Sequence, residues 1–155
     1  MRYRREIEVP TPTGETFAYI ADFTTTAEWD PGIAEARRLT PEPTAVGSRF
    51  EVVALFRGNK QRFEYVVTEL EDGKRIVLRG EGDKAFSDDV ITVAASANGT
   101  RVGYEVDLRF KGVLRVAELF LNSTLTRMCD DAVDGLAARL ARWASSSSRR
   151  ARRCA

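Results

Sequence analysis

Tyr65, Tyr104 and Asp89 are the side chains whose type and spacing best suit them to move a proton. Tyr65 falls on the same strand face as Phe63 and Val67, and Tyr104 lies between Val102 and Val106 on another. A tyrosine on an otherwise apolar face carries a hydroxyl that must find a partner, in the backbone or in a bound molecule. Asp88 and Asp89 are consecutive, so in a strand they face opposite ways and one of them points inward. Asp89 shares parity with Ile91 and Val93, and Asp88 with Val90 and Thr92; both faces are apolar enough to leave the choice open. A carboxyl buried near Tyr104 would have a raised pKa and could act as a general base. At a solvated strand end it would do no chemistry.

The rest of the composition narrows the chemistry by exclusion. The 155 residues include no histidine, which removes a Ser-His-Asp triad, a Cys-His pair and any His-ligated metal. Cys129 and Cys154 are too few for a thiolate zinc site, and Cys129 reads as a small buried hydrophobe. No glycine-rich phosphate loop stands at a strand-to-helix junction. Neither a metal nor a cofactor is therefore expected. Lys plus Arg number 24 against 23 Asp plus Glu, and four of the cations sit in Arg149-Arg150-Ala151-Arg152-Arg153. Without those four the body is mildly acidic, which argues against specific nucleic-acid binding. No run approaches the roughly 20 apolar residues of a membrane span, so no stable membrane insertion is expected. With a charged amino terminus and no disulfide framework, the expected compartment is the cytoplasm.

Elements that position these groups follow from periodicity. Residues 3–9 alternate as a strand and Pro10 and Pro12 end it. Thr13 is a candidate cap for a short helix carrying Phe17 and Ile20, and a second short helix leads to the turn Trp29-Asp30-Pro31-Gly32. Strands are expected at 33–39, 49–56, 61–70, 75–79, 86–95 and 101–110, with Gly80-Glu81-Gly82 as a loop and Asn98-Gly99 as a hairpin turn. From Gly112 the period becomes helical, and Leu121, Leu125, Met128, Ala132, Leu136, Leu140 and Trp143 form one apolar stripe. Residues 1–144 thus read as one domain and 145–155 as a disordered basic tail. A curved antiparallel sheet with one long helix against it is an α+β layer architecture.

This order resembles the START-like (SRPBCC, helix-grip or Bet v 1-like) superfamily, and within it the polyketide cyclase/dehydrase and lipid-transport group. The resemblance is carried by Val9-Pro10, Thr16-Phe17-Ala18-Tyr19-Ile20-Ala21-Asp22-Phe23, Trp29-Asp30-Pro31-Gly32-Ile33, Gly47 before the Phe50 strand, Asn98-Gly99-Thr100-Arg101-Val102 and Phe110-Lys111-Gly112. It implies a helix-grip fold: a curved seven-stranded antiparallel sheet wrapped around the long C-terminal helix, with two short helices between strands 1 and 2. It also implies a cavity between sheet and helix. The residues expected to line it are Phe50, Val52, Phe63 and Tyr65, then Leu78, Ile91, Tyr104, Val106 and Leu108, with Leu121, Leu125 and Met128 from the helix. Trp29 would sit at the mouth or anchor its turn.

The expected function is binding of a hydrophobic or amphipathic small molecule, such as a lipid, a fatty acid or a polyketide. One alternative is a cofactor-independent cyclase, aromatase or dehydratase that holds a reactive chain folded, with Tyr65, Tyr104 and Asp89 moving protons. Another is a protein-interaction module of toxin-like type. A weak homodimer is compatible with any of these.

Overall fold

Alternation of buried and exposed side chains builds the sheet that organises the chain. A computed structural model describes the backbone of residues 1–153 and the side chains of residues 1–148. Seven antiparallel strands run in the order β1-β7-β6-β5-β4-β3-β2. They are β1 (Arg2–Val9), β2 (Ile33–Arg38), β3 (Arg49–Phe56), β4 (Asn59–Glu71), β5 (Arg75–Gly82), β6 (Ala85–Ser96) and β7 (Gly99–Phe110). Two short helices, α1 (Thr13–Ala21) and α2 (Thr26–Trp29), fill the connection from β1 to β2, and a long helix α3 (Glu118–Arg153) ends the chain. This is the α+β helix-grip fold.

Consecutive strands from β2 to β7 are joined as hairpins, so contacts are local until β1 closes beside β7, with Tyr3 opposite Val106 and Ile7 opposite Val102. The turn Arg57–Gly58 has positive φ at both residues, the backbone that joins two twisted strands most tightly. Thr13 is the first residue of α1 and caps nothing with its side chain; the neighbouring Thr16 hydroxyl instead donates to the Pro12 carbonyl.

Two further expectations differ from the structure. Gly80-Glu81-Gly82 is the end of β5, not a loop. The absence of side chains is what the sheet uses there. A Cβ at Gly80 would meet the Tyr65 ring, and one at Gly82 would meet the Phe63 ring. The aromatic rings of β4 lie across the bare backbone of β5 and close its surface.

Helix α3 continues past Trp143, where the apolar stripe ends. Its 36 residues span about 54 Å. The Ser145, Ser146 and Ser148 hydroxyls donate to the carbonyls of Arg142, Trp143 and Ala144, one turn back. Of the tail expected to be disordered, residues 145–153 are helical backbone, and residues 154–155, Cys154 among them, lie outside the described residues.

The core occupies only part of the space between the layers. Val67, Ile76, Leu78 and Ile91 from the sheet meet Ile20 of α1 and Leu136 and Leu140 of α3, and all are at most 1% exposed. At this end α3 crosses α2 so closely that a Cβ on Gly135 would overlap the Trp29 carbonyl. An alanine in a helix interior normally stabilises it by up to about 1 kcal/mol over glycine. Here the obstacle is backbone, and Gly135→Ala is expected to reduce the unfolding free energy by about 2 kcal/mol. Urea denaturation measures it, and an unchanged or raised midpoint would contradict this packing.

Candidate functional site

At the other end of the sheet the layers separate. Between β3–β7 and the first turns of α3 lies a cavity of about 390 Å³. Val52, Phe63 and Leu108 line it from the sheet, and Leu121, Leu125 and Met128 line it from α3. Its mouth is edged by Arg57 and Asn59 from the β3–β4 turn, Asp83 and Lys84 from the β5–β6 turn, and Leu114 and Ala117 ahead of α3. Val113, Val116, Leu119 and Phe120, in the same stretch of chain, are exposed.

A smaller chamber of about 130 Å³ adjoins it, sharing Ile33, Ala54, Tyr65, Ser87, Leu108, Leu125 and Met128 as common wall. Its other residues include Asp30, Asp89, Tyr104, Val106 and Cys129. The large chamber is thus mainly apolar and the inner one carries the hydroxyls and carboxyls.

Strand parity and register place the polar groups. Ala85, Ser87, Asp89, Ile91 and Val93 are the buried positions of β6, which resolves the Asp88/Asp89 alternative. Asp89 is 3% exposed. Asp88 faces out, where it pairs with Arg79 and Arg109. The Ser87 hydroxyl donates to Asp89 Oδ1 at 2.5 Å and the Tyr104 hydroxyl donates to Asp89 Oδ2 at 2.9 Å. Tyr65 stands opposite Gly80, which in turn stands opposite Ser87, so its ring lies across β5 toward β6. Tyr65 is 8% exposed, and Ser87 is the polar neighbour of its hydroxyl. Asp30 comes from the turn after α2, where its Oδ1 accepts the Gly32 backbone N–H at 2.7 Å.

These surroundings set the electrostatics. Burial pushes Asp89 up to about 6, partly opposed by the hydrogen bonds from Ser87 and Tyr104. Burial also pushes Asp30 up to about 6, opposed by the Gly32 N–H and reinforced by the negative charges of Asp89 and Asp131. Tyr65 and Tyr104 lie well above the usual tyrosine value, first through burial and next through the charge of Asp89, so both stay protonated at neutral pH. Cys129 is pushed up to about 12 by burial and by the charges of Asp89, Asp30 and Asp130, which leaves an inert thiol.

A carboxyl whose folded pKa exceeds its unfolded value contributes stability that is full below pH about 4 and lost as pH rises through about 6. A shift of this size corresponds to a few kcal/mol. Asp89→Asn removes the charge and keeps an acceptor and a donor for the two hydroxyls. It is expected to raise the unfolding free energy by about 1–2 kcal/mol at pH 8 and to change it little at pH 4. Chemical denaturation at both pH values tests this; a variant less stable than wild type at pH 8 would contradict it.

The residues expected to line the cavity divide in two. Val52, Phe63, Tyr65, Tyr104, Val106, Leu108, Leu121, Leu125 and Met128 border one chamber or both. Phe50, Leu78, Ile91 and Trp29 border neither. Phe50, Leu78 and Ile91 are fully buried in the packed end, and Trp29 packs edge-on to Tyr104 with its indole N–H donated to Thr25 Oγ1. They share strand parity and chemistry with the lining residues but lie where side chains already fill the space. The Trp29 indole is correspondingly a turn anchor and lies away from the mouth. Asp30 and Ser87 were missed as chamber residues. For Ser87, parity with Asp89 was the available signal; for Asp30, nothing local distinguishes a turn carboxylate that also faces a cavity.

Residues 1–141 match the family described as polyketide cyclase / dehydrase and lipid transport. No curated protein matches the chain in sequence. Among solved structures it is similar to the protein TTHA0849 from Thermus thermophilus, with a TM-score of 0.76 and 18% identity over 90% of this chain and 97% of that one. A START superfamily protein from Mycobacterium smegmatis superimposes with a TM-score of 0.74 and 15% identity, over 92% and 98% of the two chains. The Zhui aromatase/cyclase from a Streptomyces species gives a TM-score of 0.77 at 11% identity, over 92% and 94%. At such identities the likeness is one of fold.

Proposed function

The chain belongs to the polyketide cyclase / dehydrase and lipid transport family, and from that premise we propose that it binds a hydrophobic or amphipathic small molecule between its sheet and α3. The observation that carries this reading is the cavity itself, about 390 Å³ of space with an apolar lining drawn from both layers. That volume falls within the range of small-molecule sites, and interiors rarely leave so much space unfilled. Affinity comes from removing apolar ligand surface from water, at about 25 cal/mol per Å² before ordering costs. The test is titration with N-phenyl-1-naphthylamine, an uncharged probe that fluoresces in apolar sites. Saturable enhancement at one probe per chain supports the reading; enhancement that never saturates, or none, opposes it.

A second reading, a cofactor-independent cyclase or dehydratase, is favoured by one contact. Asp89, a base poised near neutrality, accepts the Tyr104 hydroxyl in a chamber that opens on the cavity. Under it, Tyr104→Phe abolishes turnover of a reactive polyketide-like chain; under pure binding, it leaves probe affinity within about threefold.

A further inference from the structure

The inner chamber holds two carboxyl groups and no cation to match them. Asp89 and Asp30 both line it, and among its described lining residues no lysine or arginine appears. The Met1 amino group at its edge is already bonded to Glu118 and to the Leu108 carbonyl. Arg5, the half-buried one of the three arginines on strand β1, is taken by Asp130 and Asp134. The other groups facing the pair are the Tyr104, Tyr65 and Ser87 hydroxyls from the sheet and the neutral Cys129 thiol from α3, with the charges of Asp88 and Asp131 on exposed sides of their elements. Among the described residues no third carboxylate, cysteine or histidine joins the two to make a metal site.

The acceptors left over have a pattern. Asp89 receives one O–H on each oxygen and keeps further lone pairs. Asp30 uses Oδ1 for the Gly32 N–H, and its Oδ2 makes no hydrogen bond among the described residues. The Tyr65 side chain, nine-tenths buried and bordering both chambers, has the Ser87 hydroxyl as its polar neighbour, and its own hydroxyl oxygen keeps lone pairs to accept with. Three acceptors in a partly buried, negatively charged chamber complement a group that offers three N–H donors and a positive charge. A ligand carboxylate would meet two like charges there, and a neutral hydroxyl would leave both charges uncompensated. The mouth cations Arg57 and Lys84 are exposed, so water and salt screen them, while Asp89, 3% exposed, is screened much less.

We propose that the inner chamber takes a protonated amine, and hence that the ligand is a cationic amphiphile whose apolar body fills the larger chamber and whose ammonium lies against Asp89, Asp30 and Tyr65. This rests on the cavity reading above and names the ligand class for it.

The experiment is displacement of N-phenyl-1-naphthylamine by three probes of equal chain length, 1-decylamine, 1-decanol and decanoate. Decylamine is expected to bind at least tenfold more tightly than decanol at pH 7.5, with decanoate weakest. Lowering the pH to 5 protonates both aspartates and is expected to cut the amine's advantage to threefold or less. Asp89→Asn and Asp30→Asn, each read as the amine-to-alcohol ratio within the same folded variant, are expected to do the same at pH 7.5. Decanol or decanoate binding as tightly as decylamine overturns the amine assignment and leaves the cavity reading standing. A preference for the amine that survives in both variants also overturns it. Failure of all three probes to displace the dye overturns the cavity reading and this inference with it.

Discussion

Replacing Ala54 with tryptophan is expected to abolish ligand binding, with a loss of about a thousandfold, while the melting temperature stays within a few degrees of wild type. Ala54 lies on β3 opposite Gln61 and Ile33, on the face of Val52, and borders both chambers. An indole there enters vacant space, so the strain that overpacking brings to a filled core, about 1–3 kcal/mol, is largely avoided. What is lost is the room in which a guest leaves water. For a ligand burying roughly 150–200 Å² of apolar surface, that is about 4–5 kcal/mol, or about three powers of ten in affinity. Dye titration and thermal unfolding read the two halves of the prediction separately. Retained affinity would mean that the guest sits elsewhere.

Phe50→Ala should do the opposite. Its ring is fully buried, stands edge-on to Phe23 at 6.1 Å and lies under the Arg38 guanidinium at 4.7 Å. Truncation removes apolar burial, leaves a void and deprives Arg38 of its aromatic face, for an expected loss of about 3–5 kcal/mol. For a domain of this length that lowers the melting temperature by roughly 6–20 °C. Dye affinity, measured where the variant is folded, is expected to stay within about threefold, since Phe50 borders neither chamber. A loss below about 1 kcal/mol would show that this end of the sheet is not a packed core.

The contrast between Ala54 and Phe50 also shows what the sequence can and cannot disclose. Both sit on the inward face of one strand, with the same parity and four positions apart. Alternation gives the face and the turns give the hairpins, so the sheet, its closure by β1 and the helix stripe from Leu121 to Trp143 are legible in advance. Whether an inward residue meets a neighbour or a void depends on what covers it from the other layer. Ile20, Leu136 and Leu140 cover Leu78 and Ile91; the first turns of α3 stand off from Val52 and Leu108. No local period encodes that difference.

The polar groups follow the same division. Tyr65 and Tyr104 are legible as hydroxyls on apolar faces. Asp89 is not, because Val90 and Thr92 make the outer face of β6 look nearly as apolar as the inner one. Gly80 and Gly82 read as loop residues because glycine weakens a strand, yet here the rings of Tyr65 and Phe63 occupy the room their missing side chains leave. The turn carboxylate of Asp30 does bond its own backbone at Gly32, the usual role for that residue type, and the same residue also borders the inner chamber.

The account comes down to a guest lying between the sheet and the first turns of α3. Methyl-resolved NMR during a titration with 1-decanol observes that space directly. The account predicts saturable shifts at Met128, Leu125, Leu121 and Leu108, with Leu78 and Ile91 unmoved. Shifts confined to the exposed Val113 and Leu119, or no saturable shift at the four lining residues, would contradict it.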